Sequence, residues 1–325
     1  MNSAFINHIF SGNTIDVNDI LRVFHFQYYN NAVYQSWCNH IGKTPENVHL
    51  VNTIPFLPVS FFKTHKVVCG DFEPELIFES SGTTATVNSK HFIKEEKLYE
   101  KSFLTGFRSF YGNVEDYCIL GLLPSYLERS NSSLIKMTDV LMKLSRHPLS
   151  GYYLYNHGQL ADVMKQLESE GQQTLLFGVT YALLDFAEAH AFPLRHTIIM
   201  DTGGMKGRKK EMTRNEVHDY LKNRFSVNAI HSEYGMTELL SQAYAQKNGI
   251  YKSPSWMKMF IRDELDPLSV HNHGKGLINV IDMANIYSCS FIATDDIGTI
   301  SANNSFELWG RRDNSDLRGC SQMIV

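Results

Sequence analysis

Strand-like runs alternate with helical patterns through the middle of this chain, and no other feature limits its fold as strongly. Apolar runs stand at 76–79 (LIFE), 117–123 (YCILGLL), 151–155 (GYYLY), 174–178 (TLLFG), 196–201 (HTIIMD) and 227–231 (VNAIH). Between them, apolar residues recur at helical spacing over 94–110, 132–146, 158–170, 180–190 and 210–224. Strands separated by helices of about 10–15 residues pack as parallel sheets covered by helices. Upstream, Val17, Ile20, Leu21, Phe24, Tyr28, Val33 and Trp37 predict one amphipathic helix over 15–41, stopped by Gly42. Beyond 256 the pattern changes. WMKMFIRDEL, GLINVIDM, SCSFIATDDIGTI and SFELWGRRD read as short strands joined by turns.

The expected fold class is therefore α/β: a large domain of helix-covered, mostly parallel sheets with a small antiparallel β subdomain near the C-terminus. The expected large domain runs over 1–310. It divides into a helical and extended part (1–75), an α/β body (76–255) and the β subdomain (256–310), with a hinge-like tail at 311–325.

Charge and composition exclude several classes of function. Thirty Lys and Arg stand against 34 Asp and Glu, a net charge of −4, which leaves no basic field for nucleic acid. A chain that is 43% hydrophobic and 12% aromatic is not disordered. The longest apolar stretch, around Cys118–Leu123, is broken by Pro124 and flanked by Asp116 and Glu128. It falls short of the ~18–20 residues a membrane span requires. The opening MNSAFINHIFSGN lacks the basic and apolar regions of a signal peptide. Five cysteines (Cys38, Cys69, Cys118, Cys289 and Cys320) form no CxxC pair. A cytoplasmic, reducing setting is the expectation.

Three constellations carry chemistry. In ESSGTTATVNSK, the residues Ser80, Ser81, Gly82, Thr83 and Thr84 follow a strand and precede a predicted helix. Hydroxyls, exposed N–H groups and a glycine there suit an anion, although a solvent loop has the same composition. In HSEYGMTE, Tyr234 offers a ring face beside Gly235, Thr237 a hydroxyl and Glu238 a hard oxygen ligand for Mg²⁺. A turn at Gly235 with Tyr234 in the core is the plain alternative. In ATDDIGT and the following GRRD, a carboxylate and a guanidinium at strand ends could grip a ribose diol.

In this order, the three constellations resemble the acyl-adenylate-forming superfamily of acyl-CoA synthetases, firefly-type luciferases and peptide-synthetase adenylation domains. The resemblance covers about residues 54–320. It implies that Ser80–Thr84 contact the ATP phosphates, Tyr234 stacks on adenine, Thr237 meets the α-phosphate and Glu238 helps hold Mg²⁺. Asp296, in register with Thr294, and Arg311 would bind the ribose. Ala85 stands where the family has glycine, and Lys90 comes later than its lysine.

The segments IPFLPVSFFK, LLPSYLERSNSSL, TGGMKGR, HSEYGMTE and RGCS are similar to the acyl-protein synthetases of bacterial fatty-acid reductase systems. In the wider superfamily a mobile C-terminal domain with a catalytic lysine follows the large domain. The sequence to Val325 reads as the short type without it. This narrower resemblance implies activation of a fatty acid with ATP, transfer to Cys320 and delivery to an acyl reductase partner.

Cys320 has a chemical case of its own, because Arg311, Arg312 and Arg318 lie within nine positions and cations raise the thiolate fraction. The other four cysteines sit in apolar surroundings or beside Gly70 and read as packing residues.

Tyr126, Thr180, Gly203, Gly204 and His231 are candidates for the acid's pocket, where apolar walls and a polar mouth are needed. The run KGRKKEMTR (206–214) is either a solvated face or a dock for an acyl carrier protein or coenzyme A. Two further readings remain open. One is an acyl- or aryl-CoA or carrier-protein ligase that works without self-acylation, told apart by whether Cys320→Ser retains turnover. The other is a non-catalytic nucleotide- or acyl-binding protein, told apart by the absence of pyrophosphate release.

Overall fold

The computed structural model describes residues 1–12, 15–80, 87–124, 128–203 and 212–312. Five parallel strands form one half of its main sheet, in the order Gly151–Tyr152, Cys118–Leu122, Thr174–Gly178, Thr197–Thr202 and His231–Tyr234. Cys118–Leu122 and Thr174–Gly178 are buried at every position, which is why they read as unbroken apolar runs. Helices Glu96–Tyr111, Ser133–Ser145, His157–Glu170, Thr180–Ala189 and Arg214–Phe225 accompany them, close to their expected spans.

The antiparallel half is hydrogen-bonded onto this sheet. Ala243–Ala245 pairs with His231–Tyr234, and the path continues through Tyr251–Lys252, Phe306–Arg311, Phe291–Ile300, Gly274–Asp282 and Met257–Arg262 to Val270–His271. Leu57–Pro58 lies parallel to Phe291–Ile300. Between Phe291–Ile300 and Phe306–Arg311 the register slips at Ile297/Gly298, so that Asp296 stands opposite Arg311. Such a bulge re-aims side chains. At Gly298 a β-carbon would collide with the Glu307 carbonyl oxygen, so the hairpin closes only around glycine.

Three local expectations are corrected. The helix expected over 15–41 is two helices, Val17–Asn30 and Ala32–His40. Asn31 breaks it with φ −113° and ψ 103°, accepting from Tyr34 N at 3.0 Å while its Nδ2 donates to Ser288 O at 3.0 Å. The strand expected at 227–231 is His231–Tyr234, because Met200–Thr202 pairs with His231–Glu233 rather than with the apolar residues before it.

The segment after the Ser80–Thr84 loop is a strand, not a helix. Leu76–Glu79 and Lys90–Ile93 form a separate antiparallel hairpin, and helix Glu96–Tyr111 begins only after it. The alternating burial of Lys90–Ile93, with His91 and Ile93 inside, drives this pairing. The loop therefore has no helix N-terminus behind it. Among the described residues, no helix is long and apolar enough to cross a membrane.

Candidate active site

A cavity of about 530 Å³ opens where Thr197–Thr202 and His231–Tyr234 end against the antiparallel strands. Tyr234, the last residue of its strand, is only 8% exposed and lines this cavity. Its ring meets Tyr251 and Phe306 edge-on, at centroid distances of 6.2 and 5.9 Å. Its Oη donates to Asp296 Oδ2 at 2.7 Å. Burial and the adjacent Asp296 carboxylate push the phenol pKa well up.

Asp296 also lines the cavity, facing Arg311 across the hairpin. Burial raises its carboxyl pKa, partly offset by the Tyr234 hydroxyl and the Arg311 guanidinium. Thr294 Oγ1 accepts from Asp296 N at 3.1 Å and donates to Ile278 O at 2.7 Å, which anchors the TxD turn to the next strand. The neighbouring Asp295 lines a different cavity, of about 490 Å³, beside Arg262 and Arg312.

The MTE segment is held from behind. His91 Nδ1 donates to Thr237 O at 2.8 Å, and Asn285 Nδ2 donates to Glu238 O at 2.8 Å. His91 Nε2 lies 3.0 Å from Asn285 Oδ1, which closes the clamp. Burial outweighs both contacts and takes the His91 pKa down to about 4. Thr237 lines the cavity, whereas Glu238 sits just behind it, 5% exposed. Burial raises the Glu238 carboxyl, countered by a hydrogen bond from Ser89 and by Arg311.

Ser80 belongs to the hairpin neck: its N donates to Ser89 O at 3.1 Å and its Oγ accepts from Ser89 N at 2.9 Å. Lys90 Nζ lies 3.5 Å from Glu79 Oε1, so this lysine is paired.

Gly235, Gly203, Tyr234, Thr237, Asp296 and Arg311 are thus brought together on one cavity. Thr180 is buried behind it, with its Oγ1 2.6 Å from Asp201 Oδ1 and 2.7 Å from Gly203 O. His231 is packed at the far end of its strand against Tyr111, whose Oη lies 3.1 Å from Nδ1, and burial lowers its pKa to about 4. Ser81, Gly82, Thr83, Thr84, Tyr126, Gly204 and Cys320 lie outside the described residues.

Glu233, Gln242, Thr202 and Arg214 also line the cavity and were not singled out in the sequence. Placing the strand at 231–234 would have exposed Glu233, because alternation then aims it away from Tyr234. Among the described residues, no group of three or more His, Cys, Asp or Glu could hold a metal on its own.

A family model described as "Acyl-protein synthetase, LuxE" matches residues 11–325. No curated protein matches the sequence. Among solved structures, the fold is similar to MatB from Rhodopseudomonas palustris with ATP bound (16% identity, 74% of this chain and 49% of that one, TM-score 0.55). An ATP-bound chimera of RpMatB and BxBclM gives 15% identity, 74% and 49% coverage and a TM-score of 0.56. A long-chain-fatty-acid-CoA ligase (FadD1) from Archaeoglobus fulgidus gives 14%, 73%, 51% and 0.50. At such identities the likeness is one of fold, and this chain spans about half the length of each structure.

Proposed function

The chain belongs to the LuxE family of acyl-protein synthetases, and on that footing we propose that it activates a carboxylic acid with ATP and passes the acyl group to a thiol. The observation that carries this reading is the convergence of Tyr234, Thr237, Asp296 and Arg311 on one cavity from separate segments of the chain. A carboxylate oxygen of the acid attacks the α-phosphorus, the bond to pyrophosphate breaks, and an acyl adenylate forms. Tyr234 supports the base, Asp296 and Arg311 hold the ribose, and Thr237 reaches the α-phosphate, so that binding fixes the attack geometry.

Mg²⁺ takes one or two carboxylates beside substrate phosphates and keeps several waters. Glu238 fits that role: it is a single carboxyl whose pKa is raised by burial and which a cation would ionise. When bound, the ion would supply neutralisation of charge on the phosphates.

In the second half-reaction a thiolate attacks the acyl carbon, AMP leaves and a thioester remains. Cys38, Cys69, Cys118 and Cys289 are poor candidates. All four are buried, and burial pushes the first three up to about 12, about 12 and about 11 and the fourth well up. That leaves Cys320 as the acceptor within the chain. A fatty acid, a cytoplasmic setting and onward transfer to an acyl reductase complete the proposal, with coenzyme A or a carrier protein as the competing acceptor.

The test is intact-protein mass spectrometry after incubation with ATP, Mg²⁺ and a mixture of fatty and aromatic acids, with Cys320→Ser in parallel. An acyl-sized gain in the wild type alone is expected. AMP production without any gain would transfer the acceptor role to an external thiol. Absence of AMP with every acid would end the adenylating reading.

A further inference from the structure

We propose that Glu233 and Gln242 form a polar subsite in the cavity wall that reads a hydroxyl or amine on the acid, an inference that rests on the adenylating reading above. Three observations carry it.

First, strand His231–Tyr234 sorts its side chains by face. Tyr234 turns to Tyr251, Phe306 and Asp296, the side proposed for the nucleotide. Glu233 turns the other way, pairing with Thr202 and acting electrostatically on Tyr99, Tyr111 and Tyr244. Whatever rests on Tyr234, the Glu233 carboxyl therefore faces a different part of the bound molecule.

Second, the two side chains present acceptors without donors. Glu233 Oε2 accepts from Thr202 Oγ1 at 2.6 Å, while no described residue donates to Oε1. Gln242 is 6% exposed, and its Oε1 is buried without a hydrogen-bond partner among the described residues. Both residues line the cavity.

Third, Gly235 lets the backbone approach them. A β-carbon there would stand 2.5 Å from Glu233 Oε1 and 3.4 Å from Gln242 Cγ. Burial pushes the Glu233 carboxyl up to about 7, with the Thr202 hydroxyl opposing it. An arriving N–H or O–H group would complete both acceptors, whereas a plain alkyl chain would leave them buried and unpaired.

The experiment is pyrophosphate exchange with matched pairs of straight-chain acids, unsubstituted or carrying a hydroxyl or amine at the second carbon, the third carbon or the chain end. Wild type, Glu233→Gln and Gln242→Met are compared, using ATP and purine riboside triphosphate, which lacks the 6-amino group. The expected result is a wild-type kcat/KM at least about tenfold higher for one substituted acid than for its alkyl partner. Each variant should lower that ratio while leaving the preference for ATP over the purine analogue unchanged.

Equal kcat/KM within every pair overturns the subsite while leaving adenylation standing. A variant that shifts the nucleotide preference instead assigns the acceptors to the nucleobase amine and also overturns it. Exchange with no acid at all removes the adenylating reading and this subsite with it. Circular dichroism checks folding, and Gln242→Met keeps the test alive if Glu233→Gln does not fold.

Discussion

Tyr234 Oη donates a 2.7 Å hydrogen bond to Asp296 Oδ2. It joins the end of a parallel strand to the antiparallel hairpin in which Asp296 faces Arg311. One bond thus ties the aromatic wall of the cavity to its carboxylate and guanidinium. Tyr234→Phe keeps the ring and removes the donor, leaving a 90%-buried carboxyl with one partner fewer. Urea denaturation should show a loss of about 1–3 kcal/mol. The KM for ATP should rise more in Tyr234→Ala than in Tyr234→Phe, because only alanine also removes the ring.

Glu238→Gln preserves the shape beside Ser89 but removes the negative charge. Pyrophosphate exchange should fall by about 10²–10³ in kcat, the usual effect of losing one electrostatic stabiliser of the transition state. Its melting temperature should stay near wild type. Undiminished exchange in this variant would sink the role given to Glu238.

His91 bridges the loop hairpin to the MTE segment through Thr237 O and Asn285 Oδ1. His91→Phe leaves both buried oxygens without that partner. The expected loss is about 2 kcal/mol or more in chemical denaturation. Since the ring touches no substrate in the proposed reaction, it is a positioning residue. The signature should be a lowered kcat with a smaller change in the KM of either substrate.

The buried Glu233 makes stability depend on pH with a definite sign. Its folded pKa is about 7 against an ordinary value of 4.5. Between those values the unfolded chain has lost this proton and the folded chain retains it, so stability falls as pH rises from 4.5 to 7 and then levels. Thr202 and the tyrosines Tyr99, Tyr111 and Tyr244 around it stay neutral across that window, their phenols being pushed upward. Glu233→Gln should therefore melt higher than wild type at pH 8, by up to about 3 kcal/mol in stability. The gap should close toward pH 4.5. A constant gap across that range would show that another group sets the pH dependence.

Gly298→Ala tests the hairpin that aligns Asp296 with Arg311. The new methyl group would meet the Glu307 backbone oxygen, which cannot turn aside as a side-chain end could. A loss of about 1–3 kcal/mol is expected from overpacking. Nucleotide affinity should fall with it, although residue 298 itself does not line the cavity.

The alternation of strands and helices was legible because burial on both faces makes Cys118–Leu122 and Thr174–Gly178 apolar at every position. The YGMTE, TxD and GRxD segments were legible because each is short, local and ordered along the chain. Pairing across distance was not. Asn31 splits a periodic helix because its side chain is needed at Ser288, and no local pattern signals a partner that far away.

The loop after Glu79 sits in a hairpin rather than before a helix because Lys90–Ile93 buries His91 against Thr237 and Asn285. By itself the sequence determined the α/β class, its family and the residues from which a nucleotide site could be built. Only the tertiary structure decided that Asp296 rather than Asp295 faces the cavity, and that Glu233 and Gln242 line it. Strand register sets which side chain points where, and register depends on contacts between residues far apart in the chain.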